Sequence, residues 1–533
     1  MSTHTFLTLF LGRGAGERQK RTRDGEPRPP RRAPVGRAAA VLGGVCGALV
    51  LLVTPTAWAT NYLVIIADDL GVDKVQAYAA DYPGYAAAAT YLPRTSTLDA
   101  LAAAGLRFTR AWATPLCSPT RVAFQTGQHP FRTGIGYPLG STAAGLDTTA
   151  FTMLADSFTN AGYATGYFGK WHLGTENAVG ATGTPAASPF YHAPHPALAG
   201  WERFFGTLDG VIGDYWHWNR VSWLTGRAGS TGPETMHATA RTAAVALHWI
   251  NSRTTAWLAV VAFHAPHAPT AGSNWSYADA DPTQVRSAAL ACLITSSCAD
   301  EDRAVYQALV EQVDIQVATL LRGMDPAVLD DTIILFFGDN GTPSQVQEGA
   351  FDVVPARGKG TIYENGLRVP LIIADGGTWR TGARGAIASP NRAVTASVHV
   401  LDLYQTLHSH ALQYRVASVD SNSFVHCFTH PKHCGIRDPY GYAETHLRNG
   451  MSILQGKVAV RYGDDKMVAE YVVDPVFGPC VEETFYETSN DPFETAPQAW
   501  VIGNMRGDRL RDHFTSLHAA EPTSWAFGLP FCP

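Results

Sequence analysis

The sequence predicts an α/β protein with a large, mostly parallel sheet flanked by helices and a small C-terminal antiparallel α+β subdomain. Continuous apolar runs bounded by glycine and proline recur after residue 60, as is typical of strands buried on both faces of a parallel sheet. Helical segments alternate with these runs, which indicates helices on both faces of the sheet. After about residue 435 the runs give way to short alternating strands separated by turns. The 533 residues, 46% hydrophobic and 16% charged, suffice for one large domain with an appendage.

Strands and helices follow one another up to about residue 375. The runs that we assign to strands of the parallel sheet are residues 62–67, 165–168, 257–263, 332–337 and 371–374. The segments that we assign to helices are residues 97–104, 150–161, 236–252 and 302–321. The last helix carries a stripe formed by Tyr306, Leu309, Val313 and Val317. This spacing repeats on one helix face and predicts contact with the core.

Two regions depart from this alternation. Residues 174–235 are rich in glycine, alanine, proline and aromatics and show little periodicity. We therefore expect them to form long loops over the functional site of the protein. Their candidate pocket walls are Trp216, His217, Trp218 and Trp223. The C-terminal strands are predicted over residues 456–462, 466–473 and 483–486. We therefore place a catalytic domain at residues 60–435 and a subdomain at residues 436–533.

The first 59 residues are predicted to be an export signal. An arginine-rich arm precedes the apolar run 38–53, and the following Thr-Ala-Trp-Ala ends at Ala59 with small residues where a signal peptidase cleaves. A membrane anchor is the alternative, but the run is shorter than the roughly 20 residues that a spanning helix needs. We expect cleavage after Ala59, a periplasmic or secreted protein, and no stable membrane span.

Cysteine usage and charge narrow the class of protein further. Eight cysteines fit an exported chain. Their spacing suggests the pairs Cys292–Cys298, Cys427–Cys434 and Cys480–Cys532, with Cys46 inside the signal. Cys117 is left over. The formal net charge is -6 and no basic stretch follows the signal, which argues against a nucleic-acid partner.

Residues 117–121, Cys-Ser-Pro-Thr-Arg, place a thiol four residues before a guanidinium. Pro119 suits the first turn of a helix, where its missing N–H costs nothing. Cys117 would then lie at a helix N-terminus, where backbone N–H groups and the helix dipole favour an anion. Arg121 would lie one turn further on, on the same face. A buried structural cysteine beside a surface arginine is the alternative when residues 116–121 are considered alone.

Acidic pairs close two of the predicted strands. Asp68 and Asp69 follow the first run, and Asp339 and Asn340 follow the fourth. Because polar groups at the carboxyl ends of parallel strands converge, we expect these pairs to meet. Hard oxygen ligands without histidine or cysteine select calcium or magnesium over zinc. The cations expected around the ion are Arg121, Lys170, His172, His267 and Lys359. Such a cluster suits a tetrahedral oxyanion ester.

Taken together, these motifs resemble those of the formylglycine-dependent sulfatases of the alkaline phosphatase superfamily. Residues 117–121 resemble the family's Cys-x-Pro-x-Arg modification signal, and Gly-Lys-Trp-His-Leu-Gly at residues 169–174 resembles its second signature. The other matching segments are residues 67–71 and 338–341 for the metal loops, 266–269 and 358–364 for substrate contacts, and 485–494 for the closing motif. The sequence departs from the pattern at Val72, where an aromatic is common, and after the closing motif, which lacks the usual Asn-Leu.

The resemblance implies the following chemistry. A formylglycine-generating enzyme would oxidise Cys117 to formylglycine, whose hydrate attacks the sulfur of a sulfate ester. One calcium, with magnesium as the alternative, would be held by Asp68, Asp69, residue 117, Asp339 and Asn340. Arg121 would orient the hydrate, and His172 would take a proton from it. The remaining cations, Lys170, His267 and Lys359, would bind the sulfate and stabilise the leaving oxygen, one of them as the acid.

The predicted function is hydrolysis of a sulfate ester to an alcohol or phenol and inorganic sulfate. A phosphate or phosphonate ester hydrolase on the same scaffold is one alternative, because a cluster of cations does not itself distinguish sulfate from phosphate. A non-catalytic secreted binding protein is the other. The motifs do not select among aryl, steroid, glycan and other sulfate esters.

Overall fold

A central sheet with helices on both faces and a separate four-stranded sheet organise the chain. The structure, a computed structural model, describes residues 60–82, 91–140, 145–174, 195–227, 229–270, 272, 274–349, 352, 357–383, 385–417, 419–430, 434, 440–449, 452–474, 478–492, 494–498 and 505–519. The predicted export signal lies outside these residues. The predicted domain boundary at residue 435 falls in a gap between them.

The helices and strands are numbered in chain order within the described residues. The strands are β1 (Asn61–Ala67), β2 (Gly105–Phe108), β3 (Ala111–Trp112), β4 (Ala164–Lys170), β5 (Arg203–Thr207), β6 (Trp218–Leu224), β7 (Ser230–Glu234), β8 (Trp257–Ala262), β9 (Thr332–Gly338), β10 (Leu371–Asp375), β11 (Arg392–Val394), β12 (Val398–His399), β13 (Tyr440–Asn449), β14 (Ser452–Tyr462), β15 (Asp465–Asp474) and β16 (Gly478–Glu487). The α-helices are α1 (Ser96–Ala104), α2 (Cys117–Thr126), α3 (Pro130–Thr133), α4 (Leu154–Asn160), α5 (Ala238–Asn251), α6 (Glu301–Gly323), α7 (Pro326–Asp330), α8 (Glu364–Leu367), α9 (Gly376–Thr381), α10 (Asp402–Leu407), α11 (His426–Thr429) and α12 (Met505–Ala519).

The main sheet has the strand order β11-β2-β10-β9-β1-β8-β4-β5-β6-β7. The five central strands, β9-β1-β8-β4-β5, are parallel, which confirms the predicted mostly parallel sheet. The prediction was wrong for β10, which runs antiparallel to both β9 and β2. Leu371, at the start of β10, pairs with Phe337 near the carboxyl end of β9, so β10 begins there and runs back.

Residues 174–235 were predicted to be long loops; residues 175–194 lie outside the described part of the chain, and the prediction was wrong for much of residues 203–234. They form the strands β5, β6 and β7, of which β6 and β7 pair antiparallel at one edge of the main sheet. Pro233 lies in β7, and proline is tolerated on an edge strand because one row of its N–H groups is unpaired. Because glycine and proline interrupt the alternation of apolar and polar residues, the sequence pattern did not reveal these strands.

Each face of the main sheet carries its own hydrophobic core. Side chains alternate along a strand, so Leu63 and Ile65 of β1 face one core while Val64 and Ile66 face the other. Helices α1, α5 and α6 cover the first face, and α2, α4 and α10 cover the second. The predicted stripe on α6, which begins with Tyr306, is buried in the first core, as expected.

The C-terminal sheet is antiparallel with the order β13-β14-β15-β16. This confirms the small antiparallel subdomain and adds β13, which lies before the predicted strands. One face packs on α12 through Leu510 and Phe514. On the other side, Ala459 and Tyr486 join a cluster with residues of the main domain, including Ile362 next to α8. The C-terminal sheet is therefore in contact with the segment that leads out of the candidate site.

Two predicted disulfides are present. Cys292 bonds to Cys298, and Cys427 bonds to Cys434. Cys117 is free and buried. The third predicted pair, Cys480–Cys532, falls on Cys532, which lies outside the described residues. Within the described part of the chain, no helix combines the length and the hydropathy needed to cross a bilayer.

Candidate active site

The carboxyl ends of four neighbouring parallel strands build the site. In spatial order they are β9, β1, β8 and β4. The residue pairs Ala67–Gly338 and Gly169–Ala262 align the ends of these strands. As a result, the groups that follow the strands emerge at one edge of the sheet, which is the convergence that the sequence predicted.

Cys117 is the first residue of α2, as predicted. Leu116 is the N-cap, and Pro119 lies in the first turn. The Cys117 side chain is only 3% exposed. Burial raises the pKa of the Cys117 thiol, although Lys170 and Lys359 act in the opposite direction. The unmodified thiol is therefore protonated near neutral pH and is not by itself an ionised nucleophile.

The two acidic pairs meet beside Cys117. The Cys117 sulfur and one carboxylate oxygen each of Asp68 and Asp339 lie within 4.8 Å of one another. The backbone N–H of Asp69 donates to Asp339 Oδ1 at 3.0 Å, and Asn340 Nδ2 donates to Asp69 Oδ1 at 2.8 Å. These bonds join loops that are about 270 residues apart in the chain.

The oxygen atoms of this cluster fit a divalent cation. Asp68 Oδ1 and Asn340 Oδ1 are buried and have no hydrogen-bond partner among the described residues. A buried acceptor without a donor is costly, and a cation satisfies such oxygens. Carboxylate and amide oxygens are ligands that calcium and magnesium prefer. The donor set therefore agrees with the predicted ion.

Three cations face these carboxylates. Arg121 donates from Nε and Nη2 to Asp339 Oδ2 at 3.0 and 2.7 Å, and from Nη1 to the Lys170 carbonyl at 2.6 Å. Lys170 forms an ion pair with Asp68, and Lys359 lies 2.6 Å from Asp69 Oδ1. Burial opposes ionisation of Asp69, but Lys359, His267 and Lys170 lower its pKa to about 2. Arg121 thus fixes one acidic loop against β4.

His172 can accept a proton at one ring nitrogen. Its Nε2 lies 3.2 Å from the Leu139 carbonyl, so Nε2 carries the hydrogen, while Nδ1 is buried without a hydrogen-bond partner among the described residues. Burial, together with Lys170 and Arg121, holds the pKa of His172 well below its usual value. The imidazole is therefore neutral, with a free electron pair on Nδ1.

The two histidines after β8 differ in their contacts. His267 Nε2 lies 3.7 Å from Asp69 Oδ2, and burial followed by Lys359 lowers the pKa of His267 to about 3. His264 Nε2 instead hydrogen-bonds Thr207 Oγ1 at 2.7 Å. His267 therefore belongs to the acidic cluster, whereas His264 supports the end of β5.

Sequence reasoning missed three side chains that hold the site together. Tyr306, assigned only to the apolar stripe, donates from its hydroxyl to the Asp69 carbonyl at 2.6 Å. Ser118 donates to the His172 carbonyl at 2.9 Å, and Thr342 accepts from the Gly71 N–H at 3.1 Å. A tyrosine on a buried stripe was the available signal, because a buried hydroxyl needs a partner. Asp69 itself has φ 66°, a left-handed backbone that such contacts must maintain.

A cleft of about 460 Å³ opens over this cluster. Its base is formed by Cys117, His172, His267 and Lys359. Its walls are formed by residues 138–140, residues 209–211 and Gly272. The predicted aromatic walls were wrong: the cleft lining, as far as the described residues show it, contains none of Trp216, His217, Trp218 and Trp223. Trp218 is buried in β6, and His217 is exposed.

Two curated sulfatases are similar in sequence to part of this chain. Steryl-sulfatase from Rattus norvegicus is 36% identical over 155 residues, which are 28% of this chain and 23% of that protein. N-acetylgalactosamine-6-O-sulfatase from Bacteroides thetaiotaomicron is 40% identical over 116 residues, 21% of this chain and 20% of that protein. The chain thus spans less than a quarter of the length of these curated relatives.

A solved structure matches over a longer stretch. The PsFucS1 sulfatase from Pseudoalteromonas sp. superposes with a TM-score of 0.64 at 17% identity, over 88% of this chain and 92% of that one. The two chains therefore share a fold. The family model described as Sulfatase matches residues 60–414, which is more than half of the chain and includes the whole acidic cluster. On this evidence the chain belongs to the sulfatase family.

Proposed function

We propose that this protein hydrolyses sulfate monoesters through a formylglycine at position 117 and one calcium ion. The observation that carries the proposal is the close approach of Cys117 to Asp68 and Asp339, with ligand atoms within 4.8 Å of one another. The same point is the N-terminus of α2, where partial positive charge favours an anion. A residue placed there can receive both an ion and a sulfate group.

The ion would be held by Asp68, Asp69, Asp339 and Asn340, with residue 117 beside them. When bound, it would polarise a sulfate oxygen and lower the pKa of a hydroxyl on residue 117. Magnesium would meet the same oxygen ligands, but calcium tolerates the irregular geometry of two loops and a helix terminus better.

The side chains around the ion would bind the sulfate, stabilise the leaving oxygen and take up a proton. Lys170 and Lys359 carry permanent charge next to the ion site and would bind sulfate oxygens and stabilise the leaving oxygen. His267 lies on the cleft base and would contact the same group. His172 would take the proton from residue 117 at Nδ1, its unpaired nitrogen. Arg121, bonded to Asp339, would fix the position of residue 117 from the opposite side.

Maturation and export belong to the same proposal. A formylglycine-generating enzyme would act on residues 117–121 before folding is complete, because Cys117 is buried afterwards. Export through residues 1–59 agrees with the disulfides Cys292–Cys298 and Cys427–Cys434, which persist in oxidising compartments. We assign catalysis to residues 60–435 and the appended subdomain to residues 436–533.

A pair of matched esters tests the reaction class. The protein is produced together with a formylglycine-generating enzyme, and a peptide mass spectrum confirms the loss of sulfur at residue 117. We expect kcat/KM for 4-nitrophenyl sulfate to exceed that for 4-nitrophenyl phosphate at least about 100-fold. A preference for the phosphate ester would contradict the proposal and favour the phosphate hydrolase. Turnover of neither ester by the modified protein would favour a binding protein.

Removal of the ion is expected to abolish activity reversibly. Dialysis against EGTA leaves Asp68 Oδ1 and Asn340 Oδ1 without a partner and removes the charge that activates residue 117. We expect kcat to fall to about 1% or less and the thermal unfolding midpoint to decrease, because an ion that binds only the folded state stabilises it. Calcium should restore both, and magnesium should restore less activity. Full activity after complete removal of divalent ions would contradict this assignment.

A further inference from the structure

The residues that line the outer part of the cleft indicate which class of alcohol carries the sulfate. The one lysine among the described lining residues, Lys359, lies at the base beside Cys117, together with His172 and His267. Above the base, the lining among the described residues consists of Pro138, Leu139, Val211, three glycines and Asp209. The walls are thus apolar, with one carboxylate as their charged group.

No arginine or lysine within the described residues is available to bind a second anion on these walls. Arg357, two residues before Lys359, donates to the Glu494 carbonyl and lies over the Tyr363 ring at 4.1 Å, away from the lining. The stretches outside the described residues that adjoin the lining in sequence are 141–144, 175–194, 271, 273, 350–351 and 353–356, and they contain no lysine or arginine at all. Any charge that residue 176 adds is negative, since it is a glutamate.

Both walls are held by hydrogen bonds to the loops that carry the reacting groups. The Leu139 N–H donates to Ser118 Oγ at 3.1 Å, and the Leu139 carbonyl accepts from His172 Nε2 at 3.2 Å. The second wall, residues 209–211, is held through the two residues that follow it. The N–H groups of Ile212 and Gly213 donate to the Pro269 carbonyl at 3.2 and 2.8 Å. The apolar surfaces of the walls are therefore fixed relative to Cys117 and His267, so the leaving alcohol meets them when the sulfate is bound.

Gly210 shows how close the wall lies to the cleft base. A Cβ atom at this position would approach the imidazole of His172 to 2.4 Å. A larger residue there would displace the ring. The space between Gly210 and His172 is thus occupied by the ring itself, and the remaining volume of the cleft lies along Leu139 and Val211.

Resting on the proposed function, we infer that the substrate is a sulfate monoester of an apolar, uncharged alcohol and not a sulfated or carboxylated saccharide. A second anionic group would meet no cation on these walls and would lie near Asp209. Against the described Pro138, Leu139 and Val211 side chains, saccharide hydroxyls would lose water without gaining partners, and Asp209 is the one side chain on the described walls that could accept from them. An apolar ring gains contact with these side chains, and the cleft volume of about 460 Å³ suits one small molecule.

Three esters with the same reacting group test the inference. Cyclohexylmethyl sulfate, glucose 6-sulfate and glucose 3,6-disulfate all carry a primary sulfate on a CH2 group attached to a six-membered ring, so the intrinsic reactivity of that sulfate is similar. We expect kcat/KM to be at least about tenfold higher for cyclohexylmethyl sulfate than for glucose 6-sulfate, and lower again for the disulfate. A disulfate turned over as well as cyclohexylmethyl sulfate overturns the inference but leaves the proposed function intact. Turnover of none of the three, nor of 4-nitrophenyl sulfate, overturns both.

A cation introduced on the wall provides a second test of the inference. Val211→Arg is expected to raise kcat/KM for the disulfate relative to cyclohexylmethyl sulfate about fivefold, because it supplies the missing cation. Val328→Arg is the matched control, since Val328 lies on α7 before the amino end of β9, at the other end of the sheet from the site. The control should leave the ratio unchanged. An unchanged ratio in Val211→Arg, with the variant folded, contradicts the assignment of this wall to the leaving alcohol.

Discussion

Cys117→Ala is expected to lower kcat/KM for a sulfate ester at least about 10⁴-fold, since removal of a nucleophile leaves only the contribution of binding and electrostatic stabilisation. The side chain occupies the first residue of α2, beside Asp68 and Asp339. The measurement is steady-state hydrolysis of 4-nitrophenyl sulfate by protein produced with a formylglycine-generating enzyme. Thermal unfolding should change little, because alanine fits the space of the thiol.

Cys117→Ser separates two explanations of that loss. Serine keeps the size of the side chain and places an ordinary hydroxyl at the same point, but it offers no thiol to the modifying enzyme. If a hydrated aldehyde at residue 117 is required, Cys117→Ser should be about as inactive as Cys117→Ala. Activity within about tenfold of the unsubstituted protein would instead indicate that a simple hydroxyl beside the ion suffices, and the formylglycine assignment would be wrong.

The ion site could be predicted from the sequence because its signals are local. Asp68 and Asp69 close one buried apolar run, and Asp339 and Asn340 close another. The rule that polar groups gather at the carboxyl ends of parallel strands then brought them together without further information. The structure confirms this convergence through the hydrogen bond from the Asp69 N–H to Asp339 Oδ1.

What could not be predicted depends on partners that are distant in the chain. The antiparallel direction of β10 is set by where the connection from β9 leads, not by the composition of the strand. Residues 203–234 form strands although Gly206 and Pro233 interrupt their pattern, because pairing with neighbours overrides local propensity. Glu364 pairs with Lys466, 102 residues later, and neither residue stands out in its own segment. We expect loss of this Glu364–Lys466 contact to have a large effect on the stability of the protein.

A buried charge cluster joins the Lys359 loop to the C-terminal sheet. Glu364 Oε1 lies 3.2 Å from Lys466 Nζ, and Glu364 Oε2 lies 3.0 Å from Arg461 Nη1. Lys466 also lies 2.7 Å from Glu494 Oε1, while Arg368, the residue that follows α8, pairs with Glu364. Burial opposes ionisation, yet Arg368, Arg461 and Lys466 together hold the pKa of Glu364 well below its usual range. Glu364 is therefore the carboxylate on which three buried cations depend.

Glu364→Gln is expected to lower the free energy of unfolding by about 3–5 kcal/mol, because it removes the counter-charge that these buried cations share and leaves Lys466 with Glu494 alone. Glu470→Gln is the matched control on the same sheet. It breaks the Glu470–Lys457 pair, which is 2.8 Å long but substantially exposed, and should cost at most about 1 kcal/mol. Urea unfolding followed by tryptophan fluorescence measures both values. Equal losses in the two variants would show that the buried cluster contributes no more than a surface pair.

The same substitution should also reach the site, because Glu364 anchors the segment that carries Lys359. The Gly360 N–H donates to the Pro115 carbonyl at 2.8 Å and the Lys359 N–H to the Thr342 carbonyl at 3.0 Å, so this segment touches both the loop before Cys117 and the loop after β9. If the C-terminal sheet fixes Lys359 through Glu364, Glu364→Gln should lower kcat/KM about tenfold under conditions where the variant is fully folded. Lys466→Met, which removes the other end of the contact, should produce a similar loss, and the double variant should lose less than the sum of the two. Full activity in a folded Glu364→Gln variant would mean that Lys359 is held by the main domain alone.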